Sequence, residues 1–190
     1  MNVKDSIFRI VLIISVLCGI TISLQAQNGP VNPMKEDAWF MNAGFGTGTP
    51  FLGNGTGFGP AAKFSFEKGM WKVGPGVITL GAEATFSIFW HTYGNNWHEN
   101  WFNFIVGARS AYHYGWDVKG LDTYAGIPLG FGLCMNNHDA NEGFHTPIPL
   151  YPYFGFFLGV LYFFTPEIGV NGEFGYNSTY ANIGLVFKLY

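Results

Sequence analysis

The chain has 190 residues, of which 11% are charged and 19% aromatic, whereas a soluble domain usually carries about 25% charged residues. Nine basic and twelve acidic residues give a net charge of −3 with no basic cluster, which argues against a nucleic-acid partner. Beyond the N-terminus no run approaches the ~20 apolar residues that a membrane-spanning helix needs.

The first segment reads as a secretory signal peptide over residues 1–26. Lys4 and Arg9 form a basic start, residues 10–22 are apolar, and Ala26 precedes a cut near Gln27. Cys18 follows Leu17, a bulky residue where a lipoprotein signal needs a small one. Removing 26 residues leaves 164, enough for one domain. Cys134 is then the only cysteine, so an intramolecular disulfide is excluded. The predicted organisation is a short periplasmic segment over 27–37 and a barrel over 38–190.

Eight segments of period two follow, each bounded by turn residues. They cover 38–46, 61–71, 77–93, 101–114, 121–133, 151–164, 168–176 and 180–190. In the third, Ile78, Leu80, Ala82, Ala84, Phe86, Ile88 and Trp90 share one face. Thr79, Gly81, Glu83, Thr85 and Ser87 share the other. The fifth contains Pro128, which removes a ladder donor and is expected at a bulge. With an apolar outer face and no spanning helix, the pattern predicts an all-β, eight-stranded antiparallel transmembrane barrel with an up-and-down meander.

The links alternate in length. The predicted outer ones are 47–60, 94–100, 136–149 and the short 177–179, and the opposite ones are 72–76, 115–120 and 165–167. Long outer loops and short periplasmic turns are the asymmetry of outer-membrane barrels. Trp71 and Trp116 fall beside the short turns, and Trp90, Tyr93 and Trp101 near the second outer link, where they would form interfacial girdles. The smaller face carries Lys63, Arg109 and Lys188 against Glu67, Glu83, Asp122 and Glu173, a near-balanced set suited to a lumenal network.

"YAGIPLGFG" (residues 124–132) and "GVNGEFGYNSTYANIGLVFKLY" (residues 169–190) resemble small outer-membrane β-barrel proteins of Bacteroidota-type bacteria. The architecture is similar to OmpX/OmpA-like eight-stranded barrels. The resemblance implies that Phe187, Leu189 and Tyr190, at the end of the last strand, form the signal read by the barrel-assembly machinery. It also implies outer-membrane lipid as the surroundings.

Other constellations carry less. His91, His98 and Glu99 near the second outer link, with His138, Asp139, Glu142 and His145 in the third, are residue types suited to zinc or copper. They lack the fixed spacing of a metal motif, and no metal or cofactor is assigned. A lipid A-modifying enzyme would need a nucleophile beside a base. Ser87 and Ser110 with His91 or His113 match no such motif, so no catalytic residue is assigned. The glycine-rich first link has no Lys-Ser/Thr ending and is no phosphate loop. The functional expectation is a filled-lumen barrel with a structural or adhesion-like surface role. A narrow, porin-like channel and a lipid A-modifying enzyme are the alternatives.

Overall fold

A computed structural model describes residues 33–48, 59–93, 97–138 and 150–189. The described strands are β1 (Trp39–Gly48), β2 (Gly59–Val73), β3 (Gly76–Tyr93), β4 (Trp97–Gly115) and β5 (Leu121–His138). They continue with β6 (Leu150–Phe154), β7 (Phe156–Phe163), β8 (Ile168–Tyr176) and β9 (Thr179–Leu189). All pairings are antiparallel, and β1 pairs with β9 from Trp39↔Leu189 onward, so the sheet closes on itself. Both β6 and β7 pair with β5 in one register, from Leu133↔Leu150 to Leu121↔Tyr162, and form a single stave interrupted at Gly155. The fold is therefore a closed barrel of eight antiparallel staves in up-and-down order.

Pro128 causes that interruption without the expected bulge. Leu129 faces Phe154 and Gly126 faces Phe157, three residues apart on each strand, so no residue is inserted. The Gly155 N–H donates to the Pro128 carbonyl at 3.3 Å, but proline has no N–H to return. The ladder loses one bond and keeps its register. Register shifts instead occur between Gly69 and Trp71 in β2 and between Thr47 and Gly48 in β1.

The second outer link is also shorter than expected. Tyr93 pairs with Trp97, so only residues 94–96 separate β3 from β4. The long connections at that end lie between Gly48 and Gly59 and between His138 and Leu150. The opposite end carries three short turns, one of which places Gly120 at φ 83°, a left-handed conformation natural to glycine.

Alternation sorts the side chains inside out relative to a soluble protein. Ile127, Leu129, Phe174 and Ile183 face outward with about two-thirds of their surface exposed. Lys68 near the short-turn end aside, no described side chain on the outward faces of the strands is Asp, Glu, Lys or Arg. A continuous apolar belt of this kind far exceeds the few hundred Å² usual for a soluble monomer.

The glycines of the inward face have a steric purpose. Tyr124 stands opposite Gly159, Phe157 opposite Gly126, Tyr151 opposite Gly132 and Tyr153 opposite Gly130. A Cβ on Gly159 would lie 2.1 Å from Tyr124 Cζ, and one on Gly132 would lie 2.1 Å from Tyr151 Cζ. These four rings thus stand opposite residues with no side chain, which lets them fit into a narrow barrel.

Overpacking a filled interior costs about 1–3 kcal/mol, so Gly159→Val is expected to lower the unfolding midpoint in urea. Gly172→Val is the control: Gly172 lies on the outward face, and the nearest atom to its added Cβ would be Val160 Cγ1 at 3.8 Å. Its midpoint is expected to stay near that of the native chain.

Candidate functional site

The lumen is filled in three layers. At the short-turn end, Met34, Phe40, Val77, Leu161, Phe163 and Val186 form an apolar plug. Met34 comes from the segment before β1 and is completely buried. That segment is fastened by the Asp37 N–H to the Gly69 carbonyl at 2.9 Å and by the Lys72 N–H to Glu36 Oε1 at 2.9 Å. At the opposite end, Ile105, Cys134, Tyr151 and Tyr153 pack together with Trp101. Between them lies an ionic layer.

Arg109 is the centre of that layer. Its Nε lies 2.9 Å from Glu67 Oε1, one terminal nitrogen 3.1 Å from Glu83 Oε2, and the other 2.9 Å from Glu173 Oε2. These partners come from β2, β3 and β8, so one β4 side chain ties together opposite walls. Lys63 bridges Glu83 at 3.1 Å and also bonds Glu173. The guanidinium lies 4.1 Å from the ring centre of Phe157, within cation–π range.

Two cations against three carboxylates leave an excess negative charge, which neutral donors help to satisfy. Tyr153 donates to Glu83 at 2.6 Å, Thr79 to Glu67 at 2.6 Å, and Tyr124 to Glu173 at 3.3 Å. The Asn177 and Asn182 amides add bonds to Glu173 at 3.3 and 3.5 Å. Buried ions need this degree of pairing, because each loses its hydration on entering the interior.

Lys63, Glu67, Glu83, Arg109 and Glu173 are thus brought together. Asp122 joins through a side branch, its Oδ1 lying 2.9 Å from His113 Nδ1, with His113 Nε2 3.8 Å from Glu67. Lys188 lies on the inward face but outside the layer, and its Nζ donates to the Pro33 carbonyl at 3.0 Å. Sequence reasoning missed His113, although it shares the inward parity of Arg109 on β4. The tyrosines were missed because a phenol on a glycine-rich face gives no charge signal.

Trp71, Trp90 and Trp116 point outward and are about half exposed. Trp101 does not: it occupies an inward position of β4 and packs on the upper cluster, which corrects its expected place in the girdle. Tyr93 belongs to β3, but its side chain lies outside the described ones. Phe187 and Leu189 are on β9, opposite Met41 and Trp39, and Tyr190 lies outside the described residues.

His91 and His98 are strand residues, with His91 opposite Glu99 and Glu99 opposite His138. Asp139, Glu142 and His145 fall outside the described residues. Ser110 donates to the Thr79 carbonyl at 2.7 Å and sits at an outward position, while His113 points inward, so the two do not meet. The cavity lined by Glu67, His113 and Asn171 measures about 20 Å³, room for about one water.

No protein-family model matches the chain, and no curated protein matches it. In structure it is similar to Ail, the attachment invasion locus protein of Yersinia pestis, at 8% identity and a TM-score of 0.48. That alignment covers 82% of this chain and 100% of Ail. It is also similar to neisserial surface protein A, at 14% identity and a TM-score of 0.39, covering 80% of this chain and 94% of that one. At these values the likeness carries no argument, and the barrel assignment rests on the strand pairing itself.

Removing one partner from a buried ionic group costs about 3–5 kcal/mol, because the charges left behind stay desolvated. Arg109→Met is therefore expected to destabilise the folded barrel by about that amount in urea titrations. Adding Glu83→Gln and Glu173→Gln to it should recover part of the loss.

Proposed function

We propose that this chain is an outer-membrane barrel with a closed lumen, which holds its long connections at the cell surface for structural or adhesive contacts. The observation that carries the reading is the Arg109 layer, which spans the interior at a level where the exterior carries no charged side chain. An apolar belt without outward charge suits hydrocarbon, and closure leaves no unpaired edge within it. A cross-linked ionic layer, beside which the cavity at Glu67, His113 and Asn171 has room for about one water, favours a filled interior over a solute path.

The short-turn end faces the periplasm in this reading, and the links 49–58 and 139–149 face outward. Outward-facing Trp71 and Trp116 then mark one interface and Trp90 the other. Phe187, Leu189 and Tyr190 serve as the sequence that the barrel-assembly machinery engages. The contact partner at the surface is a host or envelope molecule met by the long links.

Purified protein in planar bilayers is expected to give no sustained current, and a steady ion-selective conductance would contradict the closed lumen. Orientation is tested separately. An epitope inserted between Asn141 and Glu142 should be labelled on intact cells, whereas one placed after Glu167 should be labelled only after permeabilisation. The reverse pattern would overturn the assignment of faces.

A further inference from the structure

His91, Glu99 and His138 show no metal-motif spacing in the sequence because they belong to three different strands, and the strand register brings them together. β3 pairs with β4 without a shift from Gly76↔Tyr114 to Tyr93↔Trp97, and β4 with β5 from Gly115↔Asp122 to Glu99↔His138. His91 stands opposite Glu99, and Glu99 stands opposite His138. The three positions therefore form one row across neighbouring strands, at the end away from the short turns.

Parity puts the row on one face of the sheet. His91 shares the parity of buried Phe89 on β3, Glu99 that of buried Asn103 on β4, and His138 that of buried Cys134 on β5. Residues of like parity along a strand share a face, so all three positions belong to the lumenal face. His98 has the opposite parity and pairs with Thr92 on the outer face. Neighbouring strands are ~4.8 Å apart, so the two histidine positions stand about 10 Å apart with the carboxylate position between them. Two imidazoles can close on one ion across that span.

Charge and residue type point to the same ligand. The sequence has no Lys or Arg over residues 36–62, 73–108 or 120–187, which take in the row and all the links at that end. Asp139 and Glu142 follow His138 in the chain. The lumenal Lys63 and Arg109 are engaged by Glu67, Glu83 and Glu173. An end with acids and no bases concentrates cations. Two imidazole nitrogens and one carboxylate oxygen suit zinc and its neighbours, whereas calcium and magnesium prefer oxygen alone. We propose that His91, Glu99 and His138 form a binding site for a zinc-class divalent cation at the mouth of the barrel, with water completing the coordination. The site depends on the strand register and not on the membrane reading, so either can fail alone.

The test titrates the whole barrel, purified without a polyhistidine tag, with Zn²⁺ alone in isothermal calorimetry. One ion per chain is expected. Losing a residue that merely supports a metal ligand costs about 10–100-fold in affinity, so His91→Ala, Glu99→Gln and His138→Ala should each weaken binding at least about tenfold. His98→Ala removes an imidazole from the other face and should leave the titration unchanged. A heat-modifiable band reports whether each variant is folded. On the unaltered protein, saturating Zn²⁺ should protect His91 and His138, but not His98, from modification by diethyl pyrocarbonate, read by peptide mass. That protection pattern decides the matter if a variant loses its folded band.

No uptake of zinc, an equal loss in His98→Ala, or protection that does not follow the row would overturn the site. A preference for Ca²⁺ over Zn²⁺ would assign this end to oxygen ligands alone and overturn it as well.

Discussion

Arg109 is 2% exposed, and Glu67, Glu83 and Glu173 from three other strands all lie within 3.1 Å of its guanidinium. A planar group with donors on three sides demands acceptors in fixed directions, so it sets where those strands stand around the axis. Lys63 repeats the link between Glu83 and Glu173. The remaining interior is arranged to make this layer tolerable. Tyr153, Tyr124 and Thr79 donate to the carboxylates, Phe157 covers the guanidinium, and apolar clusters close both sides.

The two faces of the sheet solve opposite solvation problems with one backbone. Pairing between β1 and β9 removes the edges, so every stave has a neighbour on both sides. Side chains then divide by parity, with ions and phenols inside and Phe, Leu, Ile and Val outside. Glycine makes the division sterically possible, because Tyr124, Tyr151, Tyr153 and Phe157 each lie opposite one on the next strand. A glycine-rich inward face and large lumenal aromatics are therefore a single design. Filling the barrel in this way cross-links its walls from within.

Much of this was legible in the sequence because a strand has a period of two and a barrel has two unlike faces. The face assignments over 77–93 and 121–133 needed only that alternation, and the gathering of Lys63, Glu67, Glu83, Arg109 and Glu173 followed from it. Parity does not give height along the axis, however. Lys188 is on the inward face yet lies at the short-turn end, bonded to Pro33 rather than to a carboxylate. Trp101 failed for a related reason, since aromatic character near a strand end suggested a girdle while its odd position on β4 turned it inward. Met34 had no periodicity to reveal it, because its burial depends on the barrel mouth that it closes. Pro128 was expected to force a bulge, but pairing on both sides of β5 held the register against one lost hydrogen bond.

The closed interior has a reporter of its own in Cys134, buried at 1% exposure among Ile105, Tyr151 and Tyr153. Its thiol can be followed with a small, charged, water-soluble methanethiosulfonate reagent, with modification read at this residue by peptide mass. A filled lumen requires that Cys134 in the folded, membrane-embedded protein stay unmodified over times that fully label the heat-unfolded chain. Rapid modification of the folded protein would show a water-filled path through the barrel and contradict the central claim.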